Sequence, residues 1–156
     1  MQKITPFLWF DHQAEEAVNF YISIFHNAKI LGISRYGAEG PGPEGSVMTV
    51  SFELNGQEFV ALNGGPRFKF TEAVSFVINC DSQEEIDTFW SKLTANGGEE
   101  SCCGWLTDRY GLSWQVVPTA LGQMMSDPST AGKVMSALLK MKKLDIKTLQ
   151  EAGNNS

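Results

Sequence analysis

Apolar and polar positions along this chain follow two different periods, and each change of period marks an element. From Ala14 the apolar residues fall at Ala14, Ala17, Val18, Tyr21, Ile22 and Phe25, with Glu15, Glu16 and Asn19 between them. That spacing draws one stripe along a helix, and the acidic pair sits near the positive end of its dipole. Strand-like patterns lie on either side. Ile4 to Phe10 is rich in aromatic and branched residues and stops at Asp11-His12, while Ala28 to Tyr36 alternates Ile30, Gly32 and Ser34 against Leu31, Ile33 and Arg35. The run from Gly37 to Gly45 carries too many turn formers for regular structure and reads as a loop over a site or an interface. Ser46 to Leu54 and Gln57 to Leu62 are strands joined by Asn55-Gly56, a strong hairpin signal. Residues 1–65 thus read as one strand, one helix and three strands.

The order then repeats. Asn63-Gly64-Gly65-Pro66 stops the fourth strand, and Ala73 to Cys80 begins a new one. Ser82 followed by Glu85 forms a capping-box pattern before a helix whose stripe is Ile86, Phe89, Trp90 and Leu93, ended by Asn96-Gly97-Gly98. Glu99 to Cys102, Gly104 to Thr107 and Leu112 to Val117 supply three short strands, the last two joined through Asp108-Arg109-Tyr110-Gly111. On the last strand Leu112, Trp114 and Val116 point one way and Ser113, Gln115 and Val117 the other, so at most one of Trp114 and Gln115 lines any given surface. If Gln115 faces a site, Trp114 packs under the second helix with Trp90. After Pro118 the period is helical: Thr119 to Ser126, a helix from Pro128 to about Met141, and a last one capped by Asp145 and running to Ala152. A tail of that length needs a surface on the sheet or on another subunit.

The predicted fold class is therefore α+β: tandem βαβββ modules over 1–65 and 73–118, a C-terminal helical extension over 119–152, and a single domain over 1–156. A chain of 156 residues with 42% hydrophobic and 19% charged residues is of ordinary globular composition. No apolar run approaches the ~20 residues of a membrane span, and the start has no signal-peptide pattern, so no membrane partner and a cytoplasmic location are expected. The net charge of −6 argues against a nucleic-acid partner. Lys133, Lys140, Lys142, Lys143 and Lys147 make the tail locally basic, read as a solvated helix face or a docking surface for an acidic partner.

Candidate chemistry is sparse. Cys80, Cys102 and Cys103 show neither disulfide nor zinc spacing. Cys80 reads as core, and the adjacent pair has no basic neighbour in sequence to activate a thiol. His12 and His26 fall at the two ends of the first helix, and no Ser-His-Asp or Cys-His arrangement is evident. Asp108 reads as a turn former.

Two βαβββ units in an acidic chain of this size resemble the vicinal oxygen chelate superfamily (glyoxalase, bleomycin resistance and dioxygenase proteins). Asn63-Gly64-Gly65-Pro66, Glu72-Ala73-Val74-Ser75-Phe76, Asn96-Gly97-Gly98-Glu99 and the run Cys103 to Gln115 look like its PhnB-like branch, which carries the label 3-demethylubiquinone-9 3-methyltransferase-like. The resemblance implies a curved mixed sheet forming a cup, and a homodimer. Relatives place His and Glu metal ligands on the first, fourth, fifth and eighth strands. The matching positions here fall near Pro6 or Phe7, Asn63, Ser75 and Gln115, none of them a His or a carboxylate, so no metal and no cofactor is expected. The candidate cup comprises Phe7, Trp9, Asn63, Ser75, Trp105 and Gln115, with a polar floor and aromatic walls for a small aromatic or amphipathic molecule. Ser75 and Gln115 either face such a ligand or bond each other or buried water. The competing expectation is an enzyme, either the methyltransferase of the label or a metal-dependent isomerase or lyase of glyoxalase type.

Overall fold

Phe7–Phe10 (β1) lies parallel to Gln57–Asn63 (β4), which pairs antiparallel with Val47–Leu54 (β3), itself antiparallel to Ala28–Arg35 (β2). The sheet order is β1-β4-β3-β2. These strands and the helix Ala14–Ile24 (α1) form the first of two units in this computed structural model, which describes residues 2–154 and divides between Phe70 and Thr71. The β3–β4 hairpin turns through Asn55 and Gly56 at φ 49° and 87°, the left-handed pair such a connection requires. Strand β1 is shorter than its pattern. Pro6 has no N–H to add to the ladder, although its carbonyl accepts from Val60 N–H at 2.9 Å.

Ala14, Ala17, Val18, Tyr21 and Ile24 of α1 are buried, as are Val50, Phe52 and Ala61 of the sheet. Ile24 takes the place expected for Ile22 and Phe25, because the helix stops at Ile24 and Phe25 turns extended. The glycine- and proline-rich loop folds back on Tyr36, whose carbonyl accepts from Gly45 N–H at 2.8 Å.

The second unit repeats the plan. Ser75–Cys80 (β5), Gln83–Thr94 (α2), Glu99–Glu100 (β6), Trp105–Thr107 (β7) and Ser113–Pro118 (β8) give the order β5-β8-β7-β6, with β5 parallel to β8. Ser82 Oγ accepts Glu85 N–H at 3.1 Å, and Glu85 reaches back to Asp81 N–H at 3.0 Å, one residue earlier than a standard capping box. Ile86, Phe89, Trp90 and Leu93 are buried as their spacing predicts.

Beyond β8 come Leu121–Ser126 (α3), Ala131–Leu138 (α4) and Ile146–Asn154 (α5). Pro128 does not open α4; it lies in a turn in which the Asp127 carbonyl accepts from Thr130 and Ala131 N–H. Asp145 caps the last helix as expected, accepting Thr148 N–H at 2.8 Å, and α5 continues to Asn154. The extension docks on its own unit. Val134, Leu144 and Leu149 form a buried cluster with Val117 of β8 against it. Gln83 clamps the segment, donating to Leu144 carbonyl at 2.9 Å and accepting from Ile146 N–H at 2.8 Å. Lys143 pairs with Asp87 at 2.9 Å. Hydrogen bonding from Lys143, and secondly from Gln83, lowers the Asp87 pKa, so what this pair contributes is present at neutral pH and is lost as pH falls through the carboxylate range. No helix among the described residues is long and apolar enough to cross a membrane.

Candidate functional site

The second sheet has a helix face and an open face. Phe76, Ile78 and Cys80 of β5 lie beside Trp114, Val116 and Pro118 of β8 on the α2 side, where Leu106 of β7 joins them. The other face carries Ser75, Val77 and Asn79 beside Ser113, Gln115 and Val117, with Trp105 and Thr107 on the far side of β8. Val77 there is 48% exposed, although it is apolar. Trp114 and Gln115 thus point to opposite sides, and Trp114 is buried, as is Trp90 of α2.

On the open face Gln115 donates from Nε2 to Ser75 Oγ at 2.9 Å. Trp105 is directly across from Gln115 in the ladder, so an indole flanks the amide. Ser113 Oγ, on the same face between Ser75 and Thr107, is fully buried with no hydrogen-bond partner. Strand parity had put Ser113 beside Gln115, but only its burial singles it out.

In the first unit Phe7 and Trp9 share the open face with Val60 and Leu62. Phe7 is 59% exposed. Trp9 meets Phe68 edge-on with centroids 4.9 Å apart and donates its indole N–H to Gly65 carbonyl at 2.9 Å. A Cβ at Gly64 would fall 2.4 Å from the Trp9 ring, so Gly64 lets the chain pass under this indole, while Gly65 takes a φ of 95° that favours glycine.

Asn63 is not on that face. It aligns with Phe10 and turns to the α1 side, where Oδ1 accepts Ala14 N–H at 2.8 Å and Nδ2 donates to Val47 carbonyl at 3.1 Å. It supplies the helix cap that Gln13 leaves unmade. A cavity of about 460 Å³ opens there, lined by Asp11, His12, Glu15, Tyr36, Ser46 and Asn63 among others. Its titratable groups do not converge: no three His, Cys, Asp or Glu side chains among the described residues are placed to hold a metal ion.

The groups implied by resemblance can be tested against these residues. At the four positions where relatives carry metal ligands, Phe7 has no donor, both polar ends of the Asn63 amide are engaged, and Ser75 and Gln115 are neutral and bonded to each other. That donor set does not fit a divalent ion. The glycines at 64 and 65 follow a strand but lead to no helix before β5, so they do not form the strand–turn–helix element that cradles an adenosyl cofactor. Asp108 is also structural: it is 2% exposed, Oδ1 accepts Tyr110 and Leu112 N–H at 2.9 and 3.1 Å, and Oδ2 accepts Trp114 indole N–H at 2.9 Å.

The sequence profile of the family described as 3-demethylubiquinone-9 3-methyltransferase matches residues 2–117. The chain belongs to that family. A PhnB protein from Bacillus cereus is 44% identical over 76% of this chain and 100% of its own, with a TM-score of 0.69. A protein from Pseudomonas aeruginosa matches at 21% identity over 76% of this chain and 98% of its own, TM-score 0.62. The fosfomycin resistance protein of Listeria monocytogenes, solved with Mn(II) and sulfate, matches at 14% over 81% and 98%, TM-score 0.56, a likeness of fold alone. No curated protein matches. The match of this PhnB-like chain to the Bacillus cereus relative takes in that whole chain with 76% of this one.

Proposed function

We propose that this PhnB-like protein binds a small aromatic or amphipathic molecule, without a metal, on the open face of the second sheet, which carries Ser75, Trp105 and Gln115. Ser75 and Gln115 bond each other, the alternative to both facing a ligand, so the observation that carries the reading is what that bond leaves over. Gln115 spends its Nε2 on Ser75 and leaves Oε1 without a protein partner, beside an indole and next to the orphaned hydroxyl of Ser113. An acceptor beside an aromatic wall suits a planar ligand with a hydroxyl or amine donor. Asn63, which caps α1, is left out of the binding set.

Thermal shift against a panel of quinones, phenols and aromatic amines tests this. A ligand at a hundred times its Kd is expected to raise Tm by about 5–10 °C in a chain of this size. Gln115→Leu, folded as the parent, is expected to weaken the same ligand about tenfold through loss of one buried hydrogen bond. Stabilisation by S-adenosylmethionine instead would favour the methyltransferase, and a stoichiometric divalent ion in the purified protein would overturn the metal-free reading. Assembly as a homodimer belongs to the same proposal and draws support from the exposed Phe7 and Val77; sedimentation of a monomer at micromolar concentration would count against it.

A further inference from the structure

Cys102 and Cys103 take no part in the open face. They occupy the turn between β6 and β7, with Cys102 exposed and Cys103 half-buried. That turn is also where the C-terminal helices are tied to the sheet. Cys103 N–H donates to Met141 carbonyl at 2.8 Å and Gly104 N–H to Lys142 carbonyl at 2.9 Å. Gly104 lies so close to Leu144 that a Cβ would fall 3.0 Å from its Cδ1. Cys103 is held at φ 64°, a left-handed conformation that few side-chain-bearing residues adopt.

We propose that the Cys102–Cys103 pair is a reversible oxidation site, and that closing a disulfide within it loosens the C-terminal helices from the sheet. The oxidant is a hydroperoxide. The Cys102 thiolate attacks the terminal peroxide oxygen, the O–O bond breaks, and a sulfenic acid and, with hydrogen peroxide, one water result after protonation. Cys103 sulfur then attacks the sulfenic sulfur, the S–S bond forms, the S–O bond breaks, and hydroxide leaves with the Cys103 proton as a second water. The two thiols together give up two electrons and two protons. A dithiol reductant restores them by exchange through a mixed disulfide. Burial, and then the neighbouring Cys102 thiol, push the Cys103 pKa up, which leaves the exposed Cys102 as the thiol for the first attack.

The link to the helices is geometric. Adjacent Cα atoms across a trans peptide stand ~3.8 Å apart, whereas disulfides ordinarily span ~4.4–6.8 Å. The eight-membered ring takes in the Cys102–Cys103 peptide itself, so a disulfide closed at this short span is strained, and the strain falls on the torsions either side of that peptide. The N–H of that peptide is the one that holds Met141. A bridge formed under such strain is also easily reduced, as a reversible site requires.

The test uses the full chain and Cys102→Ser, each treated with hydrogen peroxide and quenched. Intact mass and non-reduced peptide mapping are expected to show loss of two hydrogens and a Cys102–Cys103 ring in the parent only. Amide exchange in segment 141–154 is expected to rise about 2- to 10-fold, the worth of one backbone hydrogen bond, and to return with dithiothreitol. A bridge between two chains, overoxidation at Cys102 without a ring, or a ring that leaves exchange in 141–154 unchanged would each overturn the proposal.

Discussion

Asp108→Ala is expected to destabilise the protein by about 2–6 kcal/mol in urea titration, with an unchanged m-value, because it orphans two buried donors at about 1–3 kcal/mol each. Those donors are Leu112 N–H and the Trp114 indole N–H, at 3.1 and 2.9 Å from the carboxylate. Asp108→Asn separates charge from geometry. Its single carbonyl oxygen can serve the backbone N–H groups or the indole but not both, so one donor faces an NH₂ group, and a loss of about 1–3 kcal/mol remains. The consequence reaches the open face, since this turn sets the β7–β8 register that places Trp105 across from Gln115. A loss below about 0.5 kcal/mol for the alanine variant, the scale of a neutral surface substitution, would show that the turn is held without the carboxylate.

Leu144→Ala is expected to cost about 2–5 kcal/mol, the range for a fully buried leucine whose site cannot collapse. Leu144 is wholly buried with Val134 and Leu149, and its backbone is pinned by Gln83, so the surrounding chain has little freedom to close the cavity. Urea titration gives the size of the loss. Amide exchange gives its place: protection is expected to fall first in 131–154, since the cluster is contributed by α4, α5 and the segment between them. Protection lost uniformly across β5 and β8 as well would mean that the extension and its sheet unfold as one unit.

The repeated strand order, the two amphipathic helices, the hairpins and the Asp145 cap were legible in the residue pattern, because periodicity and turn chemistry act over a few neighbouring residues. Strand parity alone places Trp114 and Gln115 on opposite faces. Local patterns did less well where a distant partner decides. Asn63 sits among turn residues and looked like part of a cup, yet its amide is used by Ala14 and Val47, 49 and 16 positions away. Pro128 had the form of a helix start, but the Asp127 carbonyl took up the N–H groups of a turn instead.

By itself, then, the sequence determined the α+β plan, the family, and the lack of His or carboxylate at the four positions where the resemblance implies metal ligands. Only the tertiary structure decided that Ser75 and Gln115 bond each other, that Ser113 Oγ is left without a partner, that Asp108 holds an indole, and that the extension hangs from the Cys103 turn. The reason is physical. Which residue types are present and how they alternate is a property of the chain, but whether a polar group is satisfied depends on partners that folding brings from elsewhere.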